Sequence, residues 1–151
     1  MKRFPSVLVV LALLAAALLP WVADRLRGRG ERCELDGVDV ARAFRVRVFE
    51  KTGTVRSFCG VGCAQTWLER SGVTPQKILV TDCVSGREFD ARTAWYVHTV
   101  AAWGDGAPDS IRVFARISDA ERHVEAYGGS IVPVSDRPFG HGGKKHVLES
   151  G

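Results

Sequence analysis

The sequence predicts an α+β domain with antiparallel sheets, built from two hairpin-plus-helix (ββα-type) units and preceded by an N-terminal transmembrane helix. Three observations carry that prediction. An apolar run over 4–23 is broken only by Ser6 and has the roughly 20-residue length that a spanning helix needs. Downstream, period-two stretches rich in β-branched and aromatic residues come in pairs joined by short turns, as hairpin strands do. Each group ends in a run with helix start and stop signals.

Residues 1–31 are expected to form the membrane anchor or signal and its linker. Lys2 and Arg3 precede the apolar run, and Arg25, Arg27 and Arg29 follow it. Positive charge on both sides leaves orientation undecided by charge bias. A cleavable signal peptide is the competing reading. Trp21-Val22-Ala23 places a bulky residue where cleavage needs a small one, and no lipidation cysteine follows. The sequence therefore favours an uncleaved, single-pass anchor in a bacterial inner membrane. The soluble part is then expected in the periplasm or another extracytoplasmic space.

The folded domain is expected over 32–137, with a disordered Gly-, Lys- and His-containing tail over 138–151. In 42–50, Phe44, Val46 and Val48 alternate with Arg45 and Arg47, which reads as a half-buried strand. Lys51-Thr52-Gly53 is a turn, and 54–59 returns as the second strand. Gly60 and Gly62 break it, a helix follows over 63–70, and Gly72 stands just past its end. A second unit is expected from Lys77: strands over 78–81 and 87–89 around Ser85-Gly86, then strands over 95–100 and 111–114 flanking a Gly/Asp/Pro loop. Ser118 and Glu121 have capping-box spacing and predict a helix to Tyr127, stopped by Gly128-Gly129. A strand over 130–134 closes the domain.

The net charge of +4 suggests nucleic acid until the charges are placed. Between Glu31 and Gly140 there are 14 basic and 15 acidic residues, a net of −1. The basic excess flanks the apolar run and sits in the tail, so no nucleic-acid face is implied.

Four cysteines carry the chemistry. In Phe58-Cys59-Gly60-Val61-Gly62-Cys63 two thiols are four apart where strand gives way to helix. Thiolates are soft ligands suited to Cu(I) or Zn(II), and a helix N-terminus favours the deprotonated sulfur. Cys33 upstream would make a three-thiolate site, and Cys83, ending a predicted strand, is a candidate fourth ligand or a buried small hydrophobe. The competing reading is disulfides, since four cysteines in an exported chain allow three pairings. His98 is read as a packed strand residue or a ligand, and His123 as solvent-facing. His141 and His146 lie in the tail. Met1 is the single methionine, so the folded part offers no thioether. No catalytic triad, phosphate loop or carboxylate pair appears.

Three stretches resemble the family of the nitrous oxide reductase accessory protein NosL: Phe58-Cys59 through Trp67-Leu68; Val80-Thr81-Asp82 with Phe89-Asp90-Ala91 and Ala94-Trp95-Tyr96-Val97; and Phe114, Asp119-Ala120 and Tyr127-Gly128-Gly129. Together they span nearly all of the part after Cys33. The Phe-Cys-x3-Cys stretch is also similar to TRASH and YHS-type metal-binding modules. The resemblance implies an exported, membrane-attached, NosL-like copper-binding protein, related in fold to organomercurial lyase, that delivers copper to an apo-enzyme. This chain departs from the family's Cys-x-x-Cys-Gly-Met: Asp36 replaces the second cysteine and Val38 the methionine. A later Pro-Met is here Pro108-Asp109, and the lipid-attachment cysteine is missing.

The expectation is a membrane-anchored metal-binding protein, not an enzyme, acting as a metallochaperone or accessory factor for metalloenzyme maturation. Cys33, Cys59, Cys63 and Cys83 are the candidate metal ligands, and Asp36 or His98 their supports. The expected partners are the metal ion (Cu(I) or Zn(II)), the membrane through the N-terminal helix, and an apo-metalloenzyme. The alternative is a disulfide-stapled, membrane-tethered interaction module without metal. A thiol-dependent lyase using Cys59, Cys83 and Asp82 is the remaining reading.

Overall fold

The computed structural model describes residues 30–99 and 109–140. The predicted membrane segment over 4–23, Trp103, His141 and His146 lie outside the described residues. Among the described residues no helix is long and apolar enough to cross a membrane. The described residues from Arg32 onward belong to one compact unit.

The described residues have an α+β architecture, with two antiparallel sheets and two α-helices. The first sheet holds β1 (Val46–Glu50), β2 (Val55–Phe58), β3 (Pro75–Thr81) and β4 (Glu88–Asp90), in the order β2-β1-β3-β4. The second holds β5 (Trp95–His98), β6 (Ile111–Phe114) and β7 (Ser130–Ile131), in the order β6-β5-β7. Helix α1 (Val61–Ser71) follows β2, and α2 (Ile117–Tyr127) follows β6. Two hairpin-plus-helix units are thus present, but the second begins at Trp95 and not at Lys77. Val46, Arg47 and Val48 of β1 pair with Val80, Leu79 and Ile78, so β3 completes the first sheet.

Burial explains the register. Val46, Val48 and Val80 are at most 1% exposed, each contributing roughly 1.5–3 kcal/mol of apolar burial. Arg45, just before β1, and Arg47 within it both reach Glu88 of β4. Helix α1 packs Val61, Ala64, Trp67 and Leu68 onto this core, with the Trp67 ring 5.4 Å from Phe58. It ends at Gly72, whose φ of +64° allows the left-handed cap as expected.

Several boundaries differ from the sequence expectation. Residues Arg42–Phe44 form a 3-10 turn, not the start of β1. Helix α2 starts two residues earlier than expected and carries no side-chain cap: its N-cap is Arg116, so the Ser118–Glu121 box is not formed. The closing strand is only two residues, followed by a 3-10 turn over Val134–Asp136. That short strand sits tight against β5. A Cβ on Gly129 would lie 2.1 Å from the His98 carbonyl oxygen, and its φ is +109°, so only glycine suits this turn. At the far end, Phe139 packs 6.5 Å from the buried Tyr96 ring.

Candidate metal centre

Two tight turns build the site. The first is 32–39, closed by a bridge between Arg32 and Asp39. Within it the Cys33 N–H donates to the Val38 carbonyl at 2.8 Å, and the Gly37 N–H donates to the Cys33 carbonyl at 2.8 Å. Gly37 has a φ of +75°, which lets the chain reverse here without side-chain strain. The Val38 N–H donates to Asp36 Oδ1 at 3.2 Å, an Asx-type contact that fixes the carboxylate. The turn is docked on the sheet by the Glu34 N–H, which donates to the Ser57 carbonyl at 2.9 Å.

The second turn is the passage from β2 into α1. Cys59 follows Phe58, the last residue of β2, and Cys63 lies in the first turn of α1, after an extended Gly60 N-cap. Gly60 supplies no capping side chain. A distant residue takes that place: Asp109 Oδ2 accepts from the Gly62 N–H at 2.8 Å, and its Oδ1 accepts from the Ile111 N–H at 2.9 Å. The helix N-terminus is therefore anchored to the start of β6.

These turns bring four donors together. Ligand atoms of Cys33, Asp36, Cys59 and Cys63 all lie within 4.8 Å of one another. The two thiols of the second turn are 3.3 Å apart. Asp36 Oδ2 lies 3.5 Å from the Cys63 sulfur and 3.8 Å from that of Cys59. Ligands about 2.3 Å from a tetrahedral ion sit about 3.8 Å apart, so the spread suits a single ion. Cys33 and Cys59 are each 3% exposed, Cys63 is half-buried, and Asp36 is exposed. The cluster has a buried floor and one open, acidic side.

Burial pushes the Cys59 thiol up to about 11, although its contact with Cys63 pulls the other way. Cys63 is raised too, first by burial and then by the neighbouring thiols. Asp36 is held below the usual carboxylate value, mainly by the Cys33 thiol beside it and also by the Val38 N–H. A cation among these donors reverses the thiol preference, because its charge favours each deprotonated form.

Asp36 was expected only as a support, yet it stands among the donors. The signal was in the sequence: it occupies the place of a second ligand in Cys33-x-x-Asp36-Gly37. His98 is exposed on β5 and is not one of the four. Cys83 also stands outside the four. It follows β3 and Asp82, is exposed, and its N–H donates to the Val113 carbonyl at 2.9 Å; burial of the thiol itself nevertheless raises its pKa. All four cysteines are free thiols.

Asp82 is committed to architecture. Its Oδ2 accepts from the Ser85 N–H and hydroxyl, and its Oδ1 accepts from the Ala115 N–H at 3.0 Å. Burial opposes its ionisation, but these hydrogen bonds win and lower its pKa. It pins the β3–β4 turn to the end of β6. The expectation that His123 faces solvent is corrected: it is 8% exposed. Its ring is 5.1 Å from both Phe114 and Tyr127. Burial, and secondarily Arg112, lowers its pKa.

No protein-family model matches the sequence, and no curated protein matches it closely enough to count as a relative. Among solved structures the chain is similar to the crystal structure of the copper chaperone NosL from Shewanella denitrificans, with a TM-score of 0.58 and 22% identity over 70% of this chain and 87% of that one. At that identity the likeness is one of fold: this chain has the fold of that copper chaperone.

Proposed function

We propose that this chain is an exported, membrane-anchored protein that carries a soft metal ion on Cys33, Cys59 and Cys63, with Asp36 as the fourth donor, and hands it to an apo-metalloenzyme. The observation that carries the reading is the convergence of three thiols and a carboxylate within 4.8 Å at a partly open surface. Two thiols are buried, which suits retention, while the half-buried Cys63 and exposed Asp36 offer an incoming ligand a place to attack. The role is transfer and not chemical conversion, so neither Cys83 nor Asp82 is assigned a catalytic part. The fold shared with a copper chaperone supports Cu(I) as the cargo.

The carboxylate supports a second metal. Oxygen from Asp is an ordinary Zn(II) ligand, whereas Cu(I) prefers sulfur. Anaerobic loading of the full chain with each ion in turn tests both readings. One equivalent of bound metal, lost on Cys59→Ser or Cys63→Ser, is expected, and the tighter ion identifies the cargo. Unchanged metal content in both variants would refute the site. A protein that takes no metal and shows no free thiols would favour the disulfide-stapled module.

A further inference from the structure

A second cavity lies apart from the thiol cluster. It has a volume of about 450 Å³ and is walled by the Arg42–Phe44 turn, Cys83 and Val84, β6 and one side of α2. That volume is within the roughly 300–1,000 Å³ of ordinary small-molecule sites. One wall is an aromatic row, Phe114, His123 and Tyr127, with successive ring centroids 5.1 Å apart. Tyr127 and Val84 leave 51% and 63% of their surface exposed at the mouth.

Arg112 makes this cavity unusual. It is only 3% exposed. Its Nη1 donates to the carbonyl oxygens of Asp109 and Ile111 at 2.8 and 3.0 Å, and its guanidinium lies 5.1 Å from the Phe44 ring centroid. Its Nε is buried without a hydrogen-bond partner. No carboxylate among the described residues forms an ion pair with it. A buried guanidinium with no carboxylate partner and one unsatisfied N–H is costly and calls for an anion. Asp119, also in the wall, is matched by Arg122 at 3.3 Å. Among the side chains that line the cavity, Arg112 is then the cation with no carboxylate partner; the Asp82 and Asp109 carboxylates act on the Cys83 end of the wall.

We infer that this cavity binds a small amphipathic carboxylate, its charged group against the Arg112 guanidinium and its apolar body along Phe44, Phe114 and Tyr127. Arginine is suited to this task because its planar fork matches a carboxylate. The inference does not depend on the metal site.

Cys83 in the wall supplies a reporter. The full chain is alkylated with iodoacetamide, with octanoate, octanol or acetate present, and the Cys83 peptide is followed by mass spectrometry. Octanoate at about ten times its dissociation constant is expected to slow Cys83 alkylation about tenfold, since only the empty fraction reacts. Octanol and acetate at the same concentration are expected to leave the rate unchanged. Arg112→Gln should abolish the protection. Because Arg112 is buried, Ala126→Trp is the second variant: it fills the cavity from an exposed helix position and should abolish protection at unchanged melting temperature. Equal protection by octanol, protection that survives Ala126→Trp, or no protection by octanoate would each overturn the inference.

Discussion

The Asp36 carboxylate lies 3.5 Å from the Cys63 thiol, across 27 positions of sequence. One is on a tight turn, the other in the first turn of a helix, and together they close a donor set that neither segment holds alone. The carboxylate is therefore expected to bind metal directly. Asp36→Ala should weaken affinity by at least the about 10–100-fold that loss of an outer supporting group costs. Asp36→Cys should raise affinity for Cu(I) relative to Zn(II). Competition titrations with chromophoric chelators measure both, and equal affinity in Asp36→Ala would remove Asp36 from the site.

Metal uptake should release protons. Cys59 and Cys63 hold theirs at neutral pH, because burial raises both, and a metal binds the thiolate. Loading at pH 7 should release about two protons per ion from Cys59 and Cys63 if both bind. The sign follows directly: a ligand whose proton must leave binds more weakly as pH falls. Release measured with a pH indicator in weak buffer should fall towards zero in Cys59→Ser/Cys63→Ser.

Asp109 caps α1 from a distance, through the Gly62 N–H at 2.8 Å. Asp109→Ala should cost about 0.5–2 kcal/mol, the usual loss of a helix N-cap. It should also weaken metal binding, since Cys63 lies one residue beyond Gly62. Asp109→Asn, which keeps an acceptor, should lose less. Thermal unfolding and metal titration of the same variants check the pair.

His123 gives the fold a pH dependence. Its folded pKa is depressed by burial, so the unfolded chain binds more protons just below pH 6.5. Stability is then full above about pH 6.5 and declines as pH falls below it. In His123→Gln the slope of melting temperature against pH between about 7 and 5 should flatten.

Gly129→Ala should destabilise by more than about 1 kcal/mol, because its backbone region excludes a side chain. The clash falls on His98, at the β5–β7 pairing. Unfolding in urea would measure it, and a wild-type midpoint would contradict the close approach.

Much of this was legible locally. Alternation placed Val46 and Val48 inside, and Gly72 ended α1 where expected. The Cys59–Cys63 spacing announced its own convergence. What the sequence did not disclose depends on distant pairing. That β3 joins β1 follows from Val46 opposite Val80, a contact with no local signature. The family resemblance makes Asp36 a replaced cysteine, although Cys33-x-x-Asp36 keeps ligand spacing. His123 could have been found: it stands three residues after the buried Ala120, on the inward stripe of α2. Arg112 gave no signal, since a charged strand residue ordinarily faces water.

The most direct test of the thiol cluster is alkylation mapped cysteine by cysteine, on the full chain with and without one equivalent of Cu(I) or Zn(II), under anaerobic conditions. Metal is expected to protect Cys33, Cys59 and Cys63 together while Cys83 labels as before. Protection of Cys83 in place of any of the three, or no protection at all, would contradict that expectation.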